Sequence, residues 1–97
     1  MIVRVLGEGR FEVPEPSIPA LDRLYRDLVI SIRADDDAAF RLALPSLLTE
    51  IRHRGAALPP GRLGVFDVLV PGKDCTLGDA HVLLQVVTSL RTGVIPG

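Results

Sequence analysis

The first fourteen residues, MIVRVLGEGRFEVP, constrain the fold more than any other stretch of this chain. Two short runs rich in apolar and β-branched residues, Ile2 to Leu6 and Arg10 to Val13, flank Gly7-Glu8-Gly9. That pattern predicts a β-hairpin whose bend uses glycine for the positive φ that primed turns need. Pro14, Pro16 and Pro19 then stop the second strand, because proline cannot donate to a ladder. The same glycine pair invites a phosphate-loop reading, and the context removes it. A dinucleotide fingerprint needs G-x-G-x-x-G opening a helix, whereas here a second strand follows and position 12 is glutamate. No Gly-Lys-Ser/Thr ending exists for a P-loop either.

Helical periodicity follows the prolines. Leu21, Leu24, Leu28 and Ile32 predict a first helix from about Pro19 to Arg33, with Ser17 as its cap. Asp22–Arg26 and Arg23–Asp27 are opposite charges at i,i+4 on its other side. Ile30 falls among those charges and is expected to be exposed. Asp35-Asp36-Asp37 could be a metal cluster or a helix start. Neighbouring aspartates do not surround an ion without distant ligands, and calcium-loop spacing is missing, so the cap reading is taken. A second helix is expected over about Asp37 to Arg54, ended by Gly55, with Phe40, Leu44, Leu47, Leu48 and Ile51 as its apolar face. Pro45 falls on its polar side, so one kinked helix is expected rather than two. His53, on the same side, reads as a solvated residue.

Residues 55–64 read as a loop, and Val65 to Val70 as a strand covered on both faces. Pro71-Gly72 is a turn. Thr76 opens a third helix, to about Arg91 with Gly93 as the stop, using capping-box spacing to Asp79. Its apolar arc, from Leu77 through Leu90 and widened by Val82, spans about half the circumference, more than one core face needs. Part of it reads as an interface; alternatively, the sheet and the other helices cover it entirely. The order β-β-α-α-β-α predicts an α+β fold in a single domain over residues 1–97. An N-terminal β-hairpin plus a third strand forms a small, mostly antiparallel sheet packed against three α-helices.

Composition then points to a partner. The chain is 47% hydrophobic but only 4% aromatic, and its mean hydropathy is +0.34. A domain of 97 residues cannot hide that much aliphatic surface, so a self-interface or another protein is expected to take it. A net charge of −1 shows no bias toward nucleic acid. Arg52, Arg54 and Arg62 make a modest basic edge that could meet an acidic protein or anionic head groups, and reads first as a solvated surface. The single cysteine fits a reducing compartment, and no signal peptide or roughly 20-residue apolar span is visible, so a cytoplasmic location is expected. The best catalytic candidate is Cys75 before a helix N-terminus, which favours a thiolate, with Asp79 and His81. His81 lies about a turn and a half further on, so its contact with Cys75 is not guaranteed. A small thiol hydrolase or redox protein using Cys75 and His81 is the alternative to a non-enzymatic reading. No cofactor and no metal are expected, since the histidines and the cysteine are scattered.

The opening stretch, LDRL at 21–24, DDDAAFRLALPSLLTEIRHRG at 35–55, FDVLVPGKDCTL at 66–77 and the closing VIPG resemble PspAA. This is the small PspA-associated protein of the phage-shock, or envelope-stress, system. The resemblance implies a non-enzymatic accessory of phage-shock-protein A, a coiled-coil protein that coats stressed membranes from the cytoplasmic side. It brings no catalytic motif. Contact with the membrane is then expected only indirectly, through the partner. The residues expected to meet the partner are Val82 and Val86 on helix three, with Ile30 and Leu42 as secondary candidates. A homodimer through the same surplus apolar surface is compatible with that reading.

Overall fold

The computed structural model describes residues 1–60 and 66–94, with the backbone alone from residue 86 onward. Its elements are β1 (Ile2–Val5), β2 (Gly9–Glu12), a 3₁₀ turn (Glu15–Ser17), α1 (Ile18–Arg33), α2 (Asp37–Arg54), β3 (Ala56–Ala57), β4 (Val68–Val70) and α3 (Leu77–Val94). The strands form one sheet in the order β3-β2-β1-β4. β1–β2 and β2–β3 pair antiparallel, and β4 joins β1 parallel, with Val3 opposite Val68 and Val5 opposite Val70. The expected α+β fold with a mostly antiparallel sheet is therefore present.

The hairpin forms where the glycines place it, with a different turn. Glu8 N–H donates to the Val5 carbonyl at 3.0 Å. Gly7, at the third turn position, has φ +84 and Gly9 has φ +120. Leu6 precedes them with an ordinary negative φ, since Asp35 is the one non-glycine residue with positive φ among the described residues. The turn thus has the type II pattern rather than a primed one, which needs positive φ already at the second position. In β1, Val3 and Val5 point into the core while Arg4 between them takes the other face.

The 3₁₀ turn runs directly into α1. Ser17 has helical angles and makes no side-chain cap, so the expected capping role is not taken; Pro19 sits in the first turn, where its missing N–H costs nothing. α1 ends in a Schellman arrangement: Asp36 N–H reaches the Ser31 carbonyl at 3.0 Å and Asp35 N–H reaches that of Ile32 at 3.0 Å. Asp35 occupies the left-handed position, φ +55, that glycine usually fills. Asp36 caps α2 through Oδ1, which accepts from Ala39 N–H at 3.1 Å, and Asp37 pairs with Arg41 at 2.8 Å. Each aspartate of the run thus has a structural role at the corner.

α2 is a single helix through Pro45, which is exposed, as its place on the polar side predicts. The ring removes the N–H that would meet the Arg41 carbonyl, and an outward-facing carbonyl can bond to water instead. Ser46 Oγ donates back to the Leu42 carbonyl at 2.8 Å. Gly55 ends the helix without a left-handed turn, at φ −93 and ψ 156. Glycine is needed there for space: a Cβ would lie 2.8 Å from the Ile51 carbonyl oxygen and 3.1 Å from Phe11 Cβ. That close approach delivers the chain to β3, where Ala56 and Ala57 pair with Glu12 and Phe11. This strand lies within the stretch read as loop; two alanines carry no strand signal, and the pairing comes from β2.

β4 is shorter than the expected Val65–Val70. Val65 lies outside the described residues. Asp67 binds β1 as a bend, its N–H donating to the Ile2 carbonyl at 2.8 Å and its Oδ2 accepting from Ile2 N–H at 2.8 Å. Coverage on both faces is also not found: Val70 is buried, Val68 and Leu69 are half-buried and Phe66 is exposed. A strand at the sheet edge has a neighbour on one side only. Thr76 caps α3 as expected, its Oγ1 accepting from Asp79 N–H at 3.1 Å. The helix passes through Gly93 to Val94; glycine in a last turn costs only about 1 kcal/mol and does not forbid helix.

The core lies between the sheet and the α1–α2 hairpin. Val3, Val5, Val13 and Val70 from the sheet side meet Leu21, Leu28 and Ile32 of α1 and Phe40, Leu44, Leu47, Leu48 and Ile51 of α2. α3 contributes Ala80, with Leu77 and Leu84 packed against the same cluster. Full burial of each large aliphatic is worth roughly 1.5–3 kcal/mol. The one buried polar side chain among the described residues, Ser31, donates its hydroxyl to the Leu28 carbonyl at 2.7 Å.

Candidate docking surface

Three helices each turn an aliphatic side chain outward. Ile30 on α1 is 63% exposed, Leu42 on α2 is 74% exposed and Val82 on α3 is 61% exposed. Helical geometry explains each position. Ile30 is two residues from both Leu28 and Ile32, Leu42 two from Phe40 and Leu44, and Val82 two from Ala80, about 200° around the helix from buried positions. The side chain of Val86, the other residue expected to meet a partner on α3, lies outside the described residues.

The three positions share an end of the molecule. Ile30 precedes the Asp35 corner by five residues, and Leu42 follows Asp36 by six. At about 1.5 Å per residue both lie within roughly 10 Å of helix rise from that corner. His81 Nε2 donates to Asp35 Oδ1 at 3.0 Å, which ties the start of the second turn of α3 to the corner and brings Val82 with it. Phe66 and Leu6, 45% and 39% exposed, are further apolar side chains that the sequence reading did not single out. Phe66 looked covered because it alternates with Val68 and Val70.

The opposite end of the α1–α2 hairpin is charged. An open hollow of about 420 Å³ is lined by Pro19, Ala20, Arg23 and Leu24 of α1 and by Glu50 and Arg54 of α2. Arg54 Nε donates to Glu50 Oε2 at 2.7 Å. The expected Arg23–Asp27 pair is not formed, whereas Asp22–Arg26 is, at 3.0 Å. Nearby, Arg52 holds Glu8 of the hairpin turn with two nitrogens, Nε to Oε2 at 3.1 Å and Nη2 to Oε1. This hydrogen-bonded guanidinium holds the Glu8 carboxyl below the usual carboxylate range. His53 is exposed beside Arg52 and Arg54. Arg62 lies outside the described residues.

The geometry does not pair the thiol candidate with its expected base. Cys75 Sγ donates to the Thr76 carbonyl at 3.4 Å, while His81 is bonded to Asp35 instead. Burial first, and the Asp79 carboxylate second, push the Cys75 thiol up rather than down. The thiolate expected from a helix N-terminus is therefore disfavoured. No group of three or more His, Cys, Asp or Glu side chains able to hold a metal occurs among the described residues. Among the described residues no helix is long and apolar enough to cross a membrane.

No curated protein and no solved structure matches the chain. The family described as PspA-associated protein, PspAA, matches residues 1–97. That match takes in the hairpin, the Asp35 corner and all three exposed helical positions, and the chain belongs to the PspAA family.

Proposed function

We propose that the chain is a non-enzymatic accessory of the phage-shock system that docks on PspA through the outward faces of its helices. The observation that supports this reading most is the grouping of Ile30, Leu42 and Val82 near one corner, each on the face of its helix opposite the core. Isolated exposed aliphatics are ordinary; one from each of three helices at one end provides the anchors that helix-on-helix docking needs. The family name supplies the partner. Docking on a coiled coil that itself lies on the membrane would bring this protein to the cytoplasmic face of the envelope.

The test is co-purification of the full chain with PspA. Val82→Asp and Ile30→Asp are expected to abolish capture while far-UV circular dichroism stays unchanged, since neither side chain is in the core. Capture equal to wild type by both folded variants would remove the corner from the interface. A second copy of the chain could occupy the same faces, and light scattering at two concentrations separates that arrangement from docking on PspA alone.

A further inference from the structure

The hollow at the open end of the α1–α2 hairpin has no part in the aliphatic corner. It carries two guanidinium groups and one carboxylate, and so a net positive charge, over a floor of Pro19, Ala20 and Leu24. Arg54 uses Nε on Glu50, and Arg23 makes no hydrogen bond or ion pair among the described residues. We infer that this hollow receives a carboxylate from an acidic segment of the docked partner, with Arg23 as its main counter-charge; the inference rests on the docking reading above.

Three observations favour a carboxylate. A guanidinium fork matches the two oxygens of a carboxylate in one plane. Glu50 at the rim would repel the second charge of a phosphate dianion, while a single negative charge neutralises the hollow. The apolar floor suits the methylene stem of a glutamate better than a fully hydrated head group. Arg23 and Ile30 are seven residues apart on one stripe of α1, about 10 Å of helix rise. The partner segment that fits is therefore a helix with aliphatic anchors at one end and an acidic residue about seven positions away.

The experiment measures binding of the purified full chain to PspA at two salt concentrations, for wild type, Arg23→Glu, Arg54→Glu and Arg23→Lys. The two reversals are expected to weaken binding about tenfold or more and to flatten its salt dependence, with Arg23→Lys much closer to wild type. Arg23→Glu keeps the Arg54–Glu50 pair, so its effect does not depend on that contact. Converting the matching acidic residue of PspA to arginine is expected to restore binding of Arg23→Glu. Wild-type affinity and wild-type salt dependence in both reversals would overturn the inference and leave the docking reading standing. A loss seen only in sedimentation with phosphatidylglycerol vesicles would also overturn it, in favour of a lipid head group. If wild type itself fails to bind PspA, the docking reading falls and this inference falls with it.

Discussion

Asp35 holds a left-handed backbone, φ +55, at the junction of α1 and α2. Aspartate tolerates that region better than most residues, and a β-branched side chain does not. Asp35→Val is expected to lower stability by about 1–2 kcal/mol, whereas Asp35→Gly relaxes the backbone and loses only the exposed contact to His81; urea denaturation of the two variants reads the difference. Glu8 gives a pH signature. Its carboxyl is held below the usual range by the Arg52 hydrogen bond, so its folded pKa is depressed. The stability it contributes is present above the unfolded carboxylate pKa, roughly pH 4, and is lost as pH falls through the folded value. Glu8→Gln is therefore expected to flatten the acid side of the stability–pH curve and leave it unchanged in slope near neutrality. Cys75 should behave as a hindered thiol, alkylated at neutral pH no faster than in the unfolded chain; faster alkylation would restore the thiolate reading. These contacts were out of reach of the sequence. Glu8 and Arg52 are 44 positions apart, and Asp35 and His81 are 46 apart. Spacing along a chain says nothing about which distant charges the fold will bring together.

Elements were more legible than contacts. α1 and α2 were readable because apolar residues recur at helical spacing and because Asp36 carries its cap in its own side chain. Asp36→Ala is expected to cost about 1 kcal/mol, visible as a lower urea midpoint. Pro45 was placed correctly on the outer face, and the structure keeps one helix around it. Pro45→Ala restores a donor to the Arg41 carbonyl and removes the ring, so it is expected to stabilise by about 1–3 kcal/mol, the gain reduced by a more flexible unfolded chain. A midpoint equal to or below that of wild type would show that the helix has adapted to the ring. Strands were less legible where they are short. Ala56–Ala57 has no strand composition and exists because Gly55 lets the chain approach Phe11. The start of β4 was overrun because Asp67, in the middle of an apolar run, pins the chain to Ile2 rather than extending the ladder.

On the scale of the molecule, the sequence pointed to an α+β domain with surplus aliphatic surface, and the structure locates part of that surplus at Ile30, Leu42 and Val82. Ile30 was legible because it interrupts a row of charges. The hollow at Arg23 and Arg54 was not, because it needs the start of one helix beside the end of another. Leu47, among the largest fully buried side chains, sits where α2 meets the sheet. Leu47→Ala is expected to cost about 2–5 kcal/mol, a sizeable part of the stability of so small a domain, and to lower the thermal midpoint without altering the exposed positions Ile30, Leu42 and Val82. The sheet order carries one more consequence. β1 precedes both its neighbours in the chain, yet it lies between β2 and β4, and β4 comes from residues 68–70. The hairpin, α1 and α2 can assemble as soon as residue 57 has left the ribosome, with one edge of β1 still bare. At synthesis rates of about 5–20 residues per second, that edge stays open for on the order of a second before its partner arrives. A nascent chain stalled before residue 68 is thus a template for pairing with its neighbours on the same polysome, and the last short strand serves as the stopper that ends that exposure.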